Sequence, residues 1–205
     1  INIVLKNVKR DYFGGYVRSI YQQSTYPKGY LGGGLTYQKN KLSLFANVNT
    51  GQGSTAPVET DKVFYSTQLW DTERNQRNYT KLLSGRIGVD YDISDRSSIG
   101  IQYLGNTSRP DIDEVGNTTI FNRITNGIDS LIITNGQSDI KLYYHSLNTH
   151  FKSELDSLGK NISVDIDYLK YNNIRSRLND TRNVLADGTF ITGSENIFKN
   201  NSEQD

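Results

Sequence analysis

The sequence predicts an all-β chain. Its architecture is an antiparallel up-and-down transmembrane β-barrel, present as a partial open sheet of about seven long strands. Three observations predict it. The stretch Lys81 to Leu104 alternates strictly between unlike faces. The same unit recurs along the chain, with short turns and long polar connections taking turns. The composition is too polar for an ordinary core, with 35% hydrophobic residues and a mean hydropathy of −0.61.

In the first half of Lys81 to Leu104, Leu83, Gly85, Ile87, Val89, Tyr91 and Ile93 share one face, opposite Ser84, Arg86, Gly88, Asp90 and Asp92. In the second half, Ile99, Ile101 and Tyr103 oppose Gly100 and Gln102. A period of two is the mark of a strand with two different environments. Ser94-Asp95-Arg96-Ser97 supplies the polar turn between them.

Taken in order, Ile1 to Lys6 reads as a short strand, followed by the charged connector Lys9-Arg10-Asp11. Phe13 to Gln22 is a second strand, ended by Ser24 to Lys28 with Pro27. Tyr30 to Gln38 places Leu31, Gly33, Leu35 and Tyr37 on one face. Its Gly32-Gly33-Gly34 run lacks a following Lys-Ser/Thr and opens no helix, so close backbone packing is the reading rather than a phosphate loop. After the turn Lys39-Asn40, Lys41 to Thr50 sets Leu42, Leu44, Ala46 and Val48 against Ser43, Phe45, Asn47 and Asn49.

Gly51 to Thr80 and Gly105 to Ser138 read as long polar connections, with strand extensions allowed for Asn117 to Thr134. Ile140 to Leu155 is a strand whose pattern slips, and a bulge near Tyr144 would reconcile Leu142 and Tyr144 with Tyr143, Leu147 and Phe151. Asn161 to Tyr171 sets Ile162, Val164, Ile166 and Tyr168 against Ser163, Asp165 and Asp167. Asn172 to Asp205 is a third polar stretch.

Turns after Gln38, Ile93 and Leu155 are thus short, while connections after Thr50, Leu104 and Tyr171 are long. That asymmetry is the pattern of an outer-membrane barrel, with short periplasmic turns and long outer loops. Strands of about 10 residues match a tilted crossing of the hydrocarbon layer. No apolar run of about 18 residues exists, which excludes a transmembrane helix but says nothing against strands. The 14 Tyr and 18 Gly, with few Pro, suit long sheets better than disorder. Cysteine is absent, so no disulfide, thiolate metal site or Cys nucleophile is expected. A net charge of +1 gives no argument for nucleic acid as a partner.

INIVLK with the following basic segment and FGGYV resembles the plug–barrel junction of TonB-dependent outer-membrane receptors. GYLGGGLTYQKNKLSLFANVN, GRIGVDYDISDRSSIGIQY and HFKSELDSLGKNISVDIDYLKY resemble barrel segments of the Bacteroidetes-type β-barrel family within that group. The likeness covers most of Ile1 to Tyr171 and is weak in the long polar stretches. It implies a barrel of about 22 strands with an N-terminal plug in its lumen. Residues 1–9 would be the end of the plug and its junction, and residues 10–205 the N-terminal part of the barrel. The chain has no room for the plug fold itself. The resemblance further implies residence in the bacterial outer membrane and import of a ligand without covalent chemistry, so no enzyme activity. The implied partners are outer-membrane lipid, the remainder of the barrel or a plug domain, a periplasmic energy-coupling protein and a surface lipoprotein. No cofactor is expected.

On this reading Leu42, Leu44, Val48, Ile87, Val89, Ile99, Ile101, Ile162, Val164 and Ile166 face lipid, and Arg86, Asp90, Asp92, Asp165 and Asp167 face the lumen. The charged set reads more simply as the solvated wall of any large barrel than as a ligand site. Asp165 and Asp167 share a face without a third carboxylate or a His placed nearby, which disfavours a catalytic or metal site. His145 and His150 fall on opposite faces of a regular strand, so no joint metal site is expected. Asp111, Asp113 and Glu114 are oxygen-rich but lack the spacing of an EF-hand loop. Tyr37, Phe45, Tyr91, Tyr103, Tyr143, Tyr168 and Tyr171 recur near strand ends, where a membrane barrel carries aromatic girdles. Two other classes fit the same strands. One is a structural or channel subunit of a larger outer-membrane assembly, favoured by absence of a plug. The other is a soluble β-sandwich binding module, which would extract without detergent.

Overall fold

In the computed structural model, residues 11–156 and 159–205 are described. The expected strand Ile1 to Lys6 and the start of the connector after it lie outside the described residues. The chain forms one open antiparallel sheet of nine strands among these residues. They are β1 (Tyr12–Gln23), β2 (Pro27–Lys39), β3 (Leu42–Thr55), β4 (Val58–Phe64), β5 (Gln68–Ser94), β6 (Ser97–Asn122), β7 (Gly127–Glu154), β8 (Asn161–Leu185) and β9 (Asn196–Gln204). The spatial order is β1-β2-β3-β5-β6-β7-β8-β9, with β4 paired to β5 beyond the end of β3. Each hydrogen-bonded neighbour apart from β3 and β5 is also the next strand in sequence, as an up-and-down meander requires.

The connections at one end are short, and local chemistry at their described residues supports this. Asn40 takes the left-handed conformation, φ 54°, which Asn tolerates better than most residues. Ser94 Oγ accepts from the Arg96 N–H in the next turn. In the third, the Lys160 N–H donates to Asp156 Oδ1. At the other end the structure corrects the sequence reading. Gly51 to Thr80, Gly105 to Ser138 and Asn172 to Asp205 are not long loops. The strands run on through them, so β5, β6 and β7 reach 27, 26 and 28 residues. The connections there shrink to residues 65–67, 123–126 and 186–195. In the last of these the Thr189 backbone N–H donates to Asp187 and holds its carboxyl below the usual range. Polar alternation on both faces hides such strands from a hydropathy pattern.

Further expectations are corrected. The register of β6 on β7 is constant past Tyr144, and its irregularity lies at Ile120/Phe121 instead. Leu142 and Tyr144 therefore do sit on the face opposite Tyr143, Leu147 and Phe151. The stretch Ser194 to Asp205 contains a returning strand, β9, which pairs with the upper part of β8 from Asn173 to Thr181. With β4, this raises the count above the seven strands read from sequence.

The ladder fixes which residues share a face. Leu42, Tyr91, Ile99, Phe151 and Val164 lie in one row across β3, β5, β6, β7 and β8. The rows above it are Leu44–Val89–Ile101–Thr149–Ile166, Ala46–Ile87–Tyr103–Leu147–Tyr168 and Val48–Gly85–Gly105–His145–Lys170. This apolar face has no second layer against it. Val17 is 83% exposed and Ile166 is 66% exposed. Ile120 and Val184 are the only apolar side chains buried among the described residues. Scattered exposed apolar residues are ordinary, but a contiguous band across neighbouring strands marks a contact surface.

The sheet is open. Among the described residues β1 pairs only with β2, and the lower part of β8 pairs only with β7. The two edges are thus β1 and the part of β8 below Asn173.

Candidate functional site

The face opposite the apolar band is polar and built in the same rows. Ser43, Asp90, Gly100, His150 and Asp165 form one row, and Phe45, Gly88, Gln102, Asn148 and Asp167 the next. Arg86 lies one row further up, level with Asn47 and Leu104. Asp92 is level with Ser98 and Lys152. All five residues read as lumen-facing, Arg86, Asp90, Asp92, Asp165 and Asp167, thus share this face. The ten read as lipid-facing share the other.

Side chains of this face form a chain of contacts from Asp90 on β5 through β7 to Asp167 on β8, with a separate Arg86–Gln102 pair beside it. Asp90 Oδ1 lies 2.8 Å from His150 Nε2. The other ring nitrogen, Nδ1, lies 3.2 Å from Asn148 Oδ1. The Asn148 amide donates to Asp167 Oδ1 at 2.8 Å. Arg86 donates to Gln102 Oε1 at 2.5 Å, with its guanidinium 5.2 Å from the centre of the Phe45 ring. Asp165 accepts from Ser163 at 3.3 Å and makes no bond to His150, its cross-strand neighbour. The two aspartates of β8 are therefore held by different partners.

Gly100 makes the Asp90–His150 contact possible. It lies between them in the row, and a Cβ there would collide with Asp90 Oδ1 and His150 Nε2. A side chain on β6 at this position would keep β5 and β7 from meeting above it. Gly100→Ala is therefore expected to break the contact and cost about 1 kcal/mol, the net worth of a typical intramolecular hydrogen bond. In an Asp90→Ala background the same change should be close to neutral. A double-mutant cycle by equilibrium unfolding reads the difference. Additive effects of the two substitutions would disprove the coupling.

The same face carries three aromatic rings lying over glycines on the next strand of the sheet. Tyr16 covers Gly34, Tyr30 covers Gly51 and Phe45 covers Gly88. The glycine run of β2 is explained at Gly34 by this contact, and at Gly33 by the Tyr16 carbonyl oxygen, 3.1 Å from where a Cβ would stand.

Other candidates from the sequence separate in space. His145 is on the apolar face, its Nδ1 2.6 Å from the Tyr103 hydroxyl, while His150 is on the polar one. Asp111 and Asp113 share the face of Tyr103, whereas Glu114 is on the other, bonded by Gln76. They belong to a strand, not a loop. No cluster of three or more His, Asp or Glu arranged to hold a metal occurs among the described residues.

Asn148, Gln102 and Gly100 are the members of this network that the sequence reading did not single out, and it weighed His150 only as a metal partner of His145. The one available signal was a glycine interrupting a strand between two charged neighbours, and that gains meaning only once the register is known. Comparison with known proteins gives no match: no family model, no characterised protein and no solved structure corresponds to this chain.

Proposed function

We propose that this chain is a wall segment of a bacterial outer-membrane β-barrel of the TonB-dependent receptor type, which binds a ligand and passes it inward without covalent chemistry. One observation carries the reading. A single-layer sheet presents an uncovered apolar band about 10 residues tall on one face and a hydrogen-bonded polar network on the other. Water on both sides would leave that band unpaid for by any burial, whereas hydrocarbon on one side and water on the other suits both faces. A soluble sandwich needs a second sheet over the apolar face, and none is present among the described residues.

The strand lengths support the same reading. At about 3.3 Å per residue, β5, β6 and β7 are each roughly 90 Å long, well beyond the 9–11 residues that cross a bilayer. The surplus lies at one end and is mostly polar, with apolar residues at Leu69, Trp70, Ile120, Phe121 and Leu131 to Ile133. It forms a tall rim outside the membrane, where ligand recognition belongs. The two open edges then pair with further strands of the same barrel, because unpaired N–H and C=O groups in hydrocarbon cost several kcal/mol each.

Thiol accessibility tests the orientation. The 205 residues hold no cysteine, so single introduced cysteines give an unambiguous signal. On intact cells, Asn40→Cys and Asp95→Cys are expected to resist a membrane-impermeant maleimide, while Ser66→Cys, Asn117→Cys and Asp187→Cys react. Labelling of both groups alike would overturn the orientation and with it the receptor reading.

A further inference from the structure

The apolar face is not uniform. Where Gly85 and Gly105 stand side by side, the lack of side chains leaves a groove of about 600 Å³ in the band. Val48, Leu83 and Ile87 wall it on one side and Tyr103 and His145 on the other. It sits at the upper boundary of the apolar rows. Its upper rim is Arg109, whose guanidinium donates to the Tyr143 hydroxyl at 3.3 Å.

Arg109 has cationic neighbours. Lys81 is its direct cross-strand partner, and its ammonium lies 5.4 Å from the centre of the Tyr79 ring. Lys141 lies between Leu142, opposite Ser108, and Asp139, opposite Asp111, and so falls in the same row on β7. Among the described residues none of the three makes an ion pair with a carboxylate. On β6 and β7 the nearest acids on this face, Asp111 and Asp139, are one row higher, about 7 Å along the strand. The acids in these rows are Glu203, which stands opposite Ile174 two strands beyond Lys141, and Asp205, and both accept from Asn172. Three cations in adjacent strands, directly above an apolar groove, form a head-and-tail arrangement.

We propose that this groove holds an acyl chain of a phosphate-bearing anionic lipid, whose phosphate rests against Arg109, Lys81 and Lys141. The proposal builds on the membrane reading above, since it takes the apolar face as the lipid face. Charge complementarity selects the occupant. A zwitterionic choline lipid would bring its own cation to the row and offset the attraction, whereas an anionic phosphate gains from each cation near the headgroup level. The glycine floor lets the chain lie close to the strand backbones, where it makes more dispersion contacts than on a flat wall.

Two variants separate the parts. Lys81→Gln with Arg109→Gln removes charge and leaves the groove. Gly85→Leu fills the groove and leaves the charges, and a Cβ added there meets only the Asn47 carbonyl oxygen, at 3.4 Å, an ordinary contact. The full-length protein is folded into vesicles of phosphatidylcholine with a minor fraction of phosphatidylglycerol, then extracted, and retained lipid is counted by native mass spectrometry. The expected result is retention of phosphatidylglycerol over phosphatidylcholine by the parent, and about a tenfold loss of that preference in each variant. Equal retention of the two lipids by the parent, or an unchanged preference in both variants, overturns the lipid site while leaving the barrel intact. Failure of the parent to fold into vesicles at all, read by protease protection, overturns the membrane reading and this site with it.

Discussion

Val89→Arg is expected to cost about 2–4 kcal/mol of folding stability in a bilayer, and Asp90→Asn much less. The two residues are neighbours in sequence on opposite faces of β5. Val89 lies in the row of Leu44, Ile101 and Ile166, in the middle of the apolar band. A guanidinium there must leave water for hydrocarbon, or reach past two apolar rows to the boundary. Asp90 faces the polar network, and an Asn in its place keeps an oxygen for His150 while losing only the charge. Urea unfolding in phospholipid vesicles gives both numbers. Equal tolerance at the two positions would count against a barrel wall. A penalty at Asp90 larger than at Val89 would reverse the facing.

Gly53→Ala is expected to cost about 2–4 kcal/mol in the same assay, from a cause unrelated to the bilayer. Gly53 has φ 154°, a conformation that L side chains rarely adopt. It also meets the start of β2. An added Cβ would stand 2.7 Å from Lys28 Cα and 2.7 Å from the Pro27 carbonyl oxygen. Both are backbone atoms, so no side-chain rotation relieves the clash. The strands themselves must part where β2 begins. Gly29→Ala is the control, because nothing lies within 4 Å of its added Cβ. That substitution should be neutral or slightly stabilising through the loss of unfolded-state freedom. A Gly53→Ala variant as stable as the Gly29→Ala one would show that the junction of β2 and β3 is soft.

The lower half of the sheet was legible in the sequence because its two faces differ in chemistry. Leu42 to Val48, Leu83 to Ile93 and Ile162 to Tyr168 alternate apolar with polar, and each pattern predicts both a strand and its facing. The upper half was not legible for the complementary reason. In Asn75 to Lys81 and Asp111 to Asn117 both faces are polar, so alternation carries no hydropathy signal even though the ladder continues unbroken on the β5–β6 pairing. Asn196–Gln204 is polar in the same way and was read as loop, but it pairs with β8. The face of each charged residue could be read, since parity alone decides it. The partners could not, because His150 reaches Asp90 across 60 positions of sequence and over a glycine of a third strand.

The rings that cover glycines also guard against one kind of assembly error. A slip of one residue between strands would turn apolar side chains to the wrong side and be rejected by solvent or lipid alone. A slip of two residues escapes that check, since every side chain keeps its proper side. At the β3–β5 joint a two-residue slip would bring Phe45 against Arg86 or Asp90 in place of Gly88. The flat ring then has no vacant backbone to lie on and meets a charged side chain standing in its way. The mismatch is felt locally, as soon as the two strands touch, without waiting for the sheet to close. Phe45 and Gly88 thus act together to favour the observed offset of β3 on β5 over its two-residue slips.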